Sequence, residues 1–196
     1  MRLFVALVPP PETRAELEAV LAPLRPGWPG LRWTSQEAWH VTLAFLGEVD
    51  GAALTRLADR LERAAARHPS QVGSLRDAGA FPSAGKARVL WTGIAGDRRA
   101  LAALAASVAA GARRAGAPPP DERRRYQPHV TLARCRMPAD VTPLVAELSG
   151  FAGSSWTAAE IHLIQSQPGP RPRYDTLGSW PLRSAAPKES DRLGAP

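Results

Sequence analysis

Two short segments of this chain read the same four residues in a row, His40-Val41-Thr42-Leu43 and His129-Val130-Thr131-Leu132. Histidine has an ordinary pKa near 6.5, so its acid and base forms are both within reach at neutral pH. Two imidazoles brought together can take a proton from an attacking group and give one to a departing group. Two residues on, each threonine hydroxyl suits an oxygen on which negative charge builds up. The set fits in-line displacement at phosphorus. It implies a bell-shaped pH profile, because one imidazole must be neutral while the other is charged. Such chemistry needs no metal and no cofactor. Two histidines from separate strands fall short of the three protein ligands usual in catalytic zinc sites, and no HExxH segment or Cys/His cluster occurs. A single His-x-Thr in a strand would read as structural. Two copies in matching surroundings do not, since duplicated core strands need no common polar pair.

In a strand, alternate side chains share a face. His40 and Thr42 therefore point one way and Val41 and Leu43 the other, into a core, and the second copy does the same. If the two halves pack about a pseudo-two-fold axis, both His/Thr pairs face one cleft.

The elements around these segments recur in order. Arg2 to Val8 reads as a buried strand ended by prolines, and Pro11 to Leu24 as a helix with Leu17, Val20, Leu21 and Leu24 on one side. A Pro/Gly/Trp loop, 26–30, leads to a strand from Trp39 to Leu46. A helix over 51–68 and an extended segment over 71–81 follow. The order then repeats: a strand over 87–94, a helix over 97–114 capped by Asp97, a Pro/Arg loop, and a strand from Pro128 to Arg134. A short helix over 141–148, an extended segment over 156–166 and an edge strand over 174–182 complete it. This is an internal duplication, about 1–81 and 82–183, within one domain, with 184–196 expected to be a disordered tail.

With 44% hydrophobic and 22% charged residues the composition is that of a soluble globular protein. The opening apolar run stops at Pro9-Pro10-Pro11, too short for a signal segment, and nothing approaches a membrane span. A single cysteine, Cys135, excludes an internal disulfide and points to a reducing, cytoplasmic compartment. The net charge of +7 favours a polyanionic or phosphate-bearing partner. Only Lys86 and Lys188 among the 25 basic residues are lysines, an arginine bias that a GC-rich genome produces without functional cause.

The chain resembles the two-histidine (2H) phosphoesterase superfamily, and within it the RNA 2′,3′-cyclic phosphodiesterases, also called 2′-5′ RNA ligases. The likeness rests on MRLFVALVPP, on Trp39-HVTLAFLG, on FPSAGKARVLW (81–91), on PHVTLAR and on the stretch from Ser166 to Leu177 with Tyr174. It spans the chain to about Leu182. It implies an α+β fold of two lobes, with antiparallel sheets flanked by helices around a central cleft. It implies a monomeric, cytoplasmic enzyme that opens the 2′,3′-cyclic phosphate at an RNA end to a 2′-phosphomonoester. By the same resemblance His40 is the acid for the leaving O3′ and His129 the base for water, although the motif is symmetric and reversing the reaction swaps the two roles. Thr42 and Thr131 would hold the phosphate, Phe45 would stack on the terminal base, and Arg134 would grip phosphate through its guanidinium fork. Lys86 stands where the family segment often has proline, a change confined to a loop. Alternatives are 2′-5′ joining by the same residues, a small cyclic phosphate such as ADP-ribose 1″,2″-cyclic phosphate, and a non-catalytic RNA-end binding module.

Other residues read as follows. His68 is expected to be solvated and His162, beside Glu160, structural. Cys135 is expected as a buried thiol, and Trp39, Trp91 and Tyr126 as core. Arg123, Arg124 and Arg125 either steer the RNA backbone or form a solvated loop.

Overall fold

The opening apolar run, Leu3 to Leu7, is buried at every position because it is a central strand covered on both faces. The computed structural model describes residues 1–119, 126–169 and 172–184. In chain order the strands are β1 (Arg2–Leu7), β2 (Leu31–Trp33), β3 (Val41–Glu48), β4 (Gln71–Phe81), β5 (Ala87–Gly96), β6 (His129–Ala139), β7 (Trp156–Ala158), β8 (Glu160–Gln167) and β9 (Arg173–Pro181). The helices are α1 (Pro11–Leu21), α2 (Gly51–Ala65), α3 (Arg98–Ala115) and α4 (Thr142–Leu148). Two antiparallel sheets result, one ordered β3-β1-β8-β9 and the other β2-β6-β5-β4-β7.

The duplication is visible in the sheets. Within them, β3-β1-β8 matches β6-β5-β4, and each run starts with the strand that carries a Val-Thr-Leu copy. Each sheet is nonetheless completed from the other half of the chain. β8 and β9 close the first sheet, while β2 and β4 join the second. Such exchange ties the lobes together, since neither half can bury its sheet alone.

Alternation along β1 sends Leu3, Val5 and Leu7 into the main core, and Phe4 and Ala6 to the opposite face. There they meet Ile164, with Val8 and Tyr174 against them. α2 and α3 pack on each other, with α3 against β3 and α2 against β9, and α4 packs against β4. Leu57 and Leu61 of α2 and Leu104 and Val108 of α3 are fully buried there. Both long helices start on an aspartate cap: Asp50 accepts from the Ala53 amide (2.7 Å) and Asp97 from the Ala100 amide (2.9 Å).

Three departures from the sequence-based expectations have simple causes. The first helix ends at Leu21, and Leu24 falls just before a 3₁₀ turn, Arg25–Gly27, that carries a proline. β2 has no counterpart among the expected strands, because three residues are too few to display alternation. The extended segment over 156–166 is two strands in different sheets, β7 beside β4 and β8 beside β1, with the switch at Ala159. The tail from 185 onward, and Arg123, Arg124 and Arg125, lie outside the described residues.

Candidate active site

His40 sits between a single 3₁₀ turn, Gln36–Ala38, and the first residue of β3, so it lies just before the strand and not within it. A ring N–H of His40 donates to the Ala38 carbonyl. His129 is the first residue of β6, and its Nδ1 donates to the Gln127 carbonyl at 2.7 Å. Both imidazoles are thus anchored to the carbonyl two residues earlier. A carbonyl only accepts, so the anchored nitrogen carries a proton and the other nitrogen is the one that can change protonation. For His129 that nitrogen is Nε2. The two side chains share one cleft: Cα atoms of β3 and β6 approach within 8 Å, and charge on His129 reaches His40.

Strict alternation would put residues five apart on opposite faces, but the ladder is broken at the same place in both copies. Ala6 pairs with Thr42 and Val5 with Ala44, leaving Leu43 as an extra residue. Trp91 pairs with Thr131 and Leu90 with Ala133, leaving Leu132 extra. These are β-bulges, and each reverses the parity of the strand beyond it. Burial follows: Leu43 and Ala44 are buried in succession, as are Leu132 and Ala133, and the next residues, Phe45 and Arg134, are exposed. Phe45 therefore joins the face of His40 and Thr42, and Arg134 the face of His129 and Thr131. The Phe45 ring lies 6.1 Å from that of Phe4, which is itself 4.5 Å from His40. All six residues singled out in the sequence are brought to the cleft. Among the described residues, the Thr42 and Thr131 hydroxyls and the Arg134 guanidinium have no hydrogen-bond or ion-pair partner on the protein.

A residue that no motif marks holds the two copies together. Thr34, one residue past β2, gives its amide to the Leu132 carbonyl (2.9 Å). Its hydroxyl proton is shared between the carbonyls of Thr131 (2.7 Å) and Leu132 (2.9 Å), at the bulge. The same hydroxyl accepts from Trp39 Nε1 at 2.9 Å. Trp39 is 1% exposed and directly precedes His40. One hydroxyl thus links the approach to the first histidine with the bulge beyond the second.

The surroundings of the histidines differ. His40 rests on the apolar side of the first sheet, with the Tyr174 ring 5.6 Å away. Burial, then the charges of His129 and Arg134, push its pKa down from 6.5 to about 4, against a smaller upward pull from the Ala38 carbonyl. His40 is therefore neutral at pH 7. The acid role implied by the resemblance requires that a bound anion raise its pKa, so that it takes up a proton from solvent. His129 lies beside Phe81 (5.0 Å) and Trp91 (6.2 Å). Trp91, expected in the core, lines this side of the cleft instead. Its indole lies over Gly79, where a Cβ would collide with the ring.

The remaining expectations are mixed. His68 is not merely solvated: its Nε2 pairs with Ser107 Oγ on α3 at 2.7 Å, and burial lowers its pKa. His162 pairs with Glu160 at 3.5 Å. Cys135 is partly buried with its pKa raised, and Tyr126 packs on the core. Among the described residues, no three His, Cys, Asp or Glu side chains group as a metal site.

Comparison with known proteins places this geometry among relatives. The family model described as the 2′-5′ RNA ligase superfamily matches residues 9–170. An RNA 2′,3′-cyclic phosphodiesterase of Thermus thermophilus is 32% identical, over 96% of this chain and 94% of the relative. A crystal structure of a Thermus thermophilus protein superposes with a TM-score of 0.79 at 28% identity, over 95% of this chain and all of that one. E. coli LigT complexed with 3′-AMP superposes with a TM-score of 0.72 at 30% identity, over 92% of this chain and 96% of that chain.

Two outcomes are expected. Thr34→Val leaves buried polar atoms unpaired and should cost about 1–3 kcal/mol in urea denaturation, with Thr34→Ser recovering most of it. Because the native state resists a proton on His40 that the unfolded chain accepts, stability should fall as pH drops from 6.5 towards about 4. Urea midpoints at pH 7, 5 and 4 check this, and His40→Gln should flatten the decline across that window.

Proposed function

The chain belongs to the 2′-5′ RNA ligase superfamily, and on that footing we propose that it hydrolyses the 2′,3′-cyclic phosphate at the end of an RNA with His40 and His129 as its acid–base pair. The observation that carries this reading is the matched anchoring of the two imidazoles across one cleft. A cyclic phosphate between them presents its phosphorus to water on one side and to the departing ribose oxygen on the other. His129 Nε2 takes a proton from the attacking water as the new P–O bond forms. The P–O3′ bond breaks and His40 gives its proton to O3′. The products are a 2′-phosphomonoester and a 3′-hydroxyl, with the proton moved from one histidine to the other.

The anion itself prepares His40. Burial, then the charges of His129 and Arg134, hold that imidazole neutral, and a phosphodiester charge beside Arg134 opposes the two charges. Thr42 and Thr131 hydroxyls donate to the non-bridging oxygens, and the guanidinium of Arg134 holds the same group. Phe45, 55% exposed at the rim, offers its ring to the terminal base. A 5′-hydroxyl in place of water gives 2′-5′ joining by the same proton transfers; excess water favours hydrolysis. The reading takes the protein as a monomer in a reducing cytosol, in keeping with its single cysteine.

An oligonucleotide ending in a 2′,3′-cyclic phosphate should be opened to the 2′-phosphate at an unchanged rate in EDTA. His40→Ala and His129→Ala should each lose about 10²–10⁴-fold in kcat while remaining folded by circular dichroism. Binding without turnover, or a 3′-phosphate product, would overturn the assignment. The pair is treated as a unit, and its second proton is resisted by the burial and the charges that depress His40. The acid limb of kcat/KM should therefore lie well below pH 6.5, towards about 4. Arg134→Gln should move that limb upward, because it removes one of the two positive charges.

A further inference from the structure

β2 is an edge strand of three residues, and it lies against the part of β6 that carries Arg134. In the register Leu31 faces Cys135, Arg32 faces Arg134 and Trp33 faces Ala133. Directly opposed residues of an antiparallel pair share a face. Leu31 is buried and Trp33 packs on the core, so Arg32 points the other way, to the face that Arg134 occupies. Both arginines are exposed, and among the described residues neither has a carboxylate partner. Arg25, a few residues earlier, is by contrast paired with Glu18 through both guanidinium nitrogens. Like charges set directly opposite on a strand pair are destabilising. Here they lie beside the cleft, close enough that one of them depresses the pKa of His40.

We propose that Arg32 is a binding residue for the phosphodiester next to the reacting one, so that Arg134 and Arg32 take two successive phosphates of a single-stranded RNA. The inference rests on the reading above, in which Arg134 holds the cyclic phosphate. It deepens that reading by naming the substrate class: an oligonucleotide end, in preference to a nucleoside cyclic phosphate, which has no second phosphate to offer. Cross-strand neighbours stand about 5 Å apart at their backbones, and long guanidinium arms splay further to reach adjacent groups along a strand. The repulsion between the two guanidiniums is relieved when phosphates lie against both, which couples binding to the presence of the longer substrate.

The test compares kcat/KM for a short RNA with a 2′,3′-cyclic phosphate end and for a nucleoside 2′,3′-cyclic phosphate. Arg32→Gln should raise KM for the RNA about tenfold and lower its salt slope by about 0.7, the amount expected for one single-strand phosphate contact. It should leave the nucleoside substrate within about twofold. Arg32→Lys should keep the salt slope, and Arg63→Gln on the outer helix α2 should change neither substrate. Equal effects of Arg32→Gln on both substrates, or an effect no larger than that of Arg63→Gln, would overturn the inference and leave Arg32 as a guard on a sheet edge. If the wild type turns over neither substrate, the reading of the activity fails first. Fluorescence anisotropy with a labelled RNA bearing a 2′-phosphate end then decides on Arg32 separately, by whether Arg32→Gln weakens binding and its salt dependence.

Discussion

A β-strand that alternates without interruption cannot put residues at positions 1, 3 and 6 on one face, and this cleft needs that arrangement twice. One extra residue after each His-Val-Thr resolves the conflict. Leu43 and Leu132 are the inserted positions, and both remain buried, so each bulge costs ladder pairing without exposing apolar surface. What lies beyond the bulge is thereby re-aimed, and Phe45 and Arg134 arrive beside the imidazoles. The Thr131 and Leu132 carbonyls at the bulge in β6 accept from Thr34, which also receives the indole N–H of Trp39. The bulge that places the cation and the segment that places the first histidine therefore share one hydroxyl.

On this near-symmetric frame the chemistry is unsymmetric. The first sheet presents Phe4, Tyr174 and Phe45 around His40, an apolar setting that disfavours charge. The second presents Arg134 at the position matching Phe45, together with Phe81 and Trp91 near His129. Two identical tetrapeptides thus sit in different fields. One side buries its imidazole among aromatic rings and the other carries the cation, with Phe in one copy where the other has Arg. Strand exchange between the halves keeps these fields fixed, since each lobe is closed by strands that begin in the other.

Much of this was legible along the chain. Both His/Thr pairs, the order of strands and helices, and the aspartate at the start of α3 follow from residue type and spacing. The resemblance carried Phe45 and Arg134, which periodicity alone would have sent to the wrong face. Thr34 and Arg32 were not legible. Neither belongs to a repeated pattern, and β2 is too short for its alternation to be read. Trp91 was misplaced for a related reason: a large aromatic in an apolar strand reads as core, and only the opposing Gly79 shows that its ring lies over β4 beside the cleft.

The sequence by itself determined which side chains carry the chemistry, because the identity and near-neutral pKa of histidine and the paired repeat are properties of the residues and their order. The tertiary structure alone decided which of them meet, which face Phe45 and Arg134 take, and which imidazole stays neutral. Those depend on strand register, on two bulges and on charges contributed by distant segments. Register is set by pairing between strands far apart in the chain, and a shift of one residue reverses every side chain beyond it.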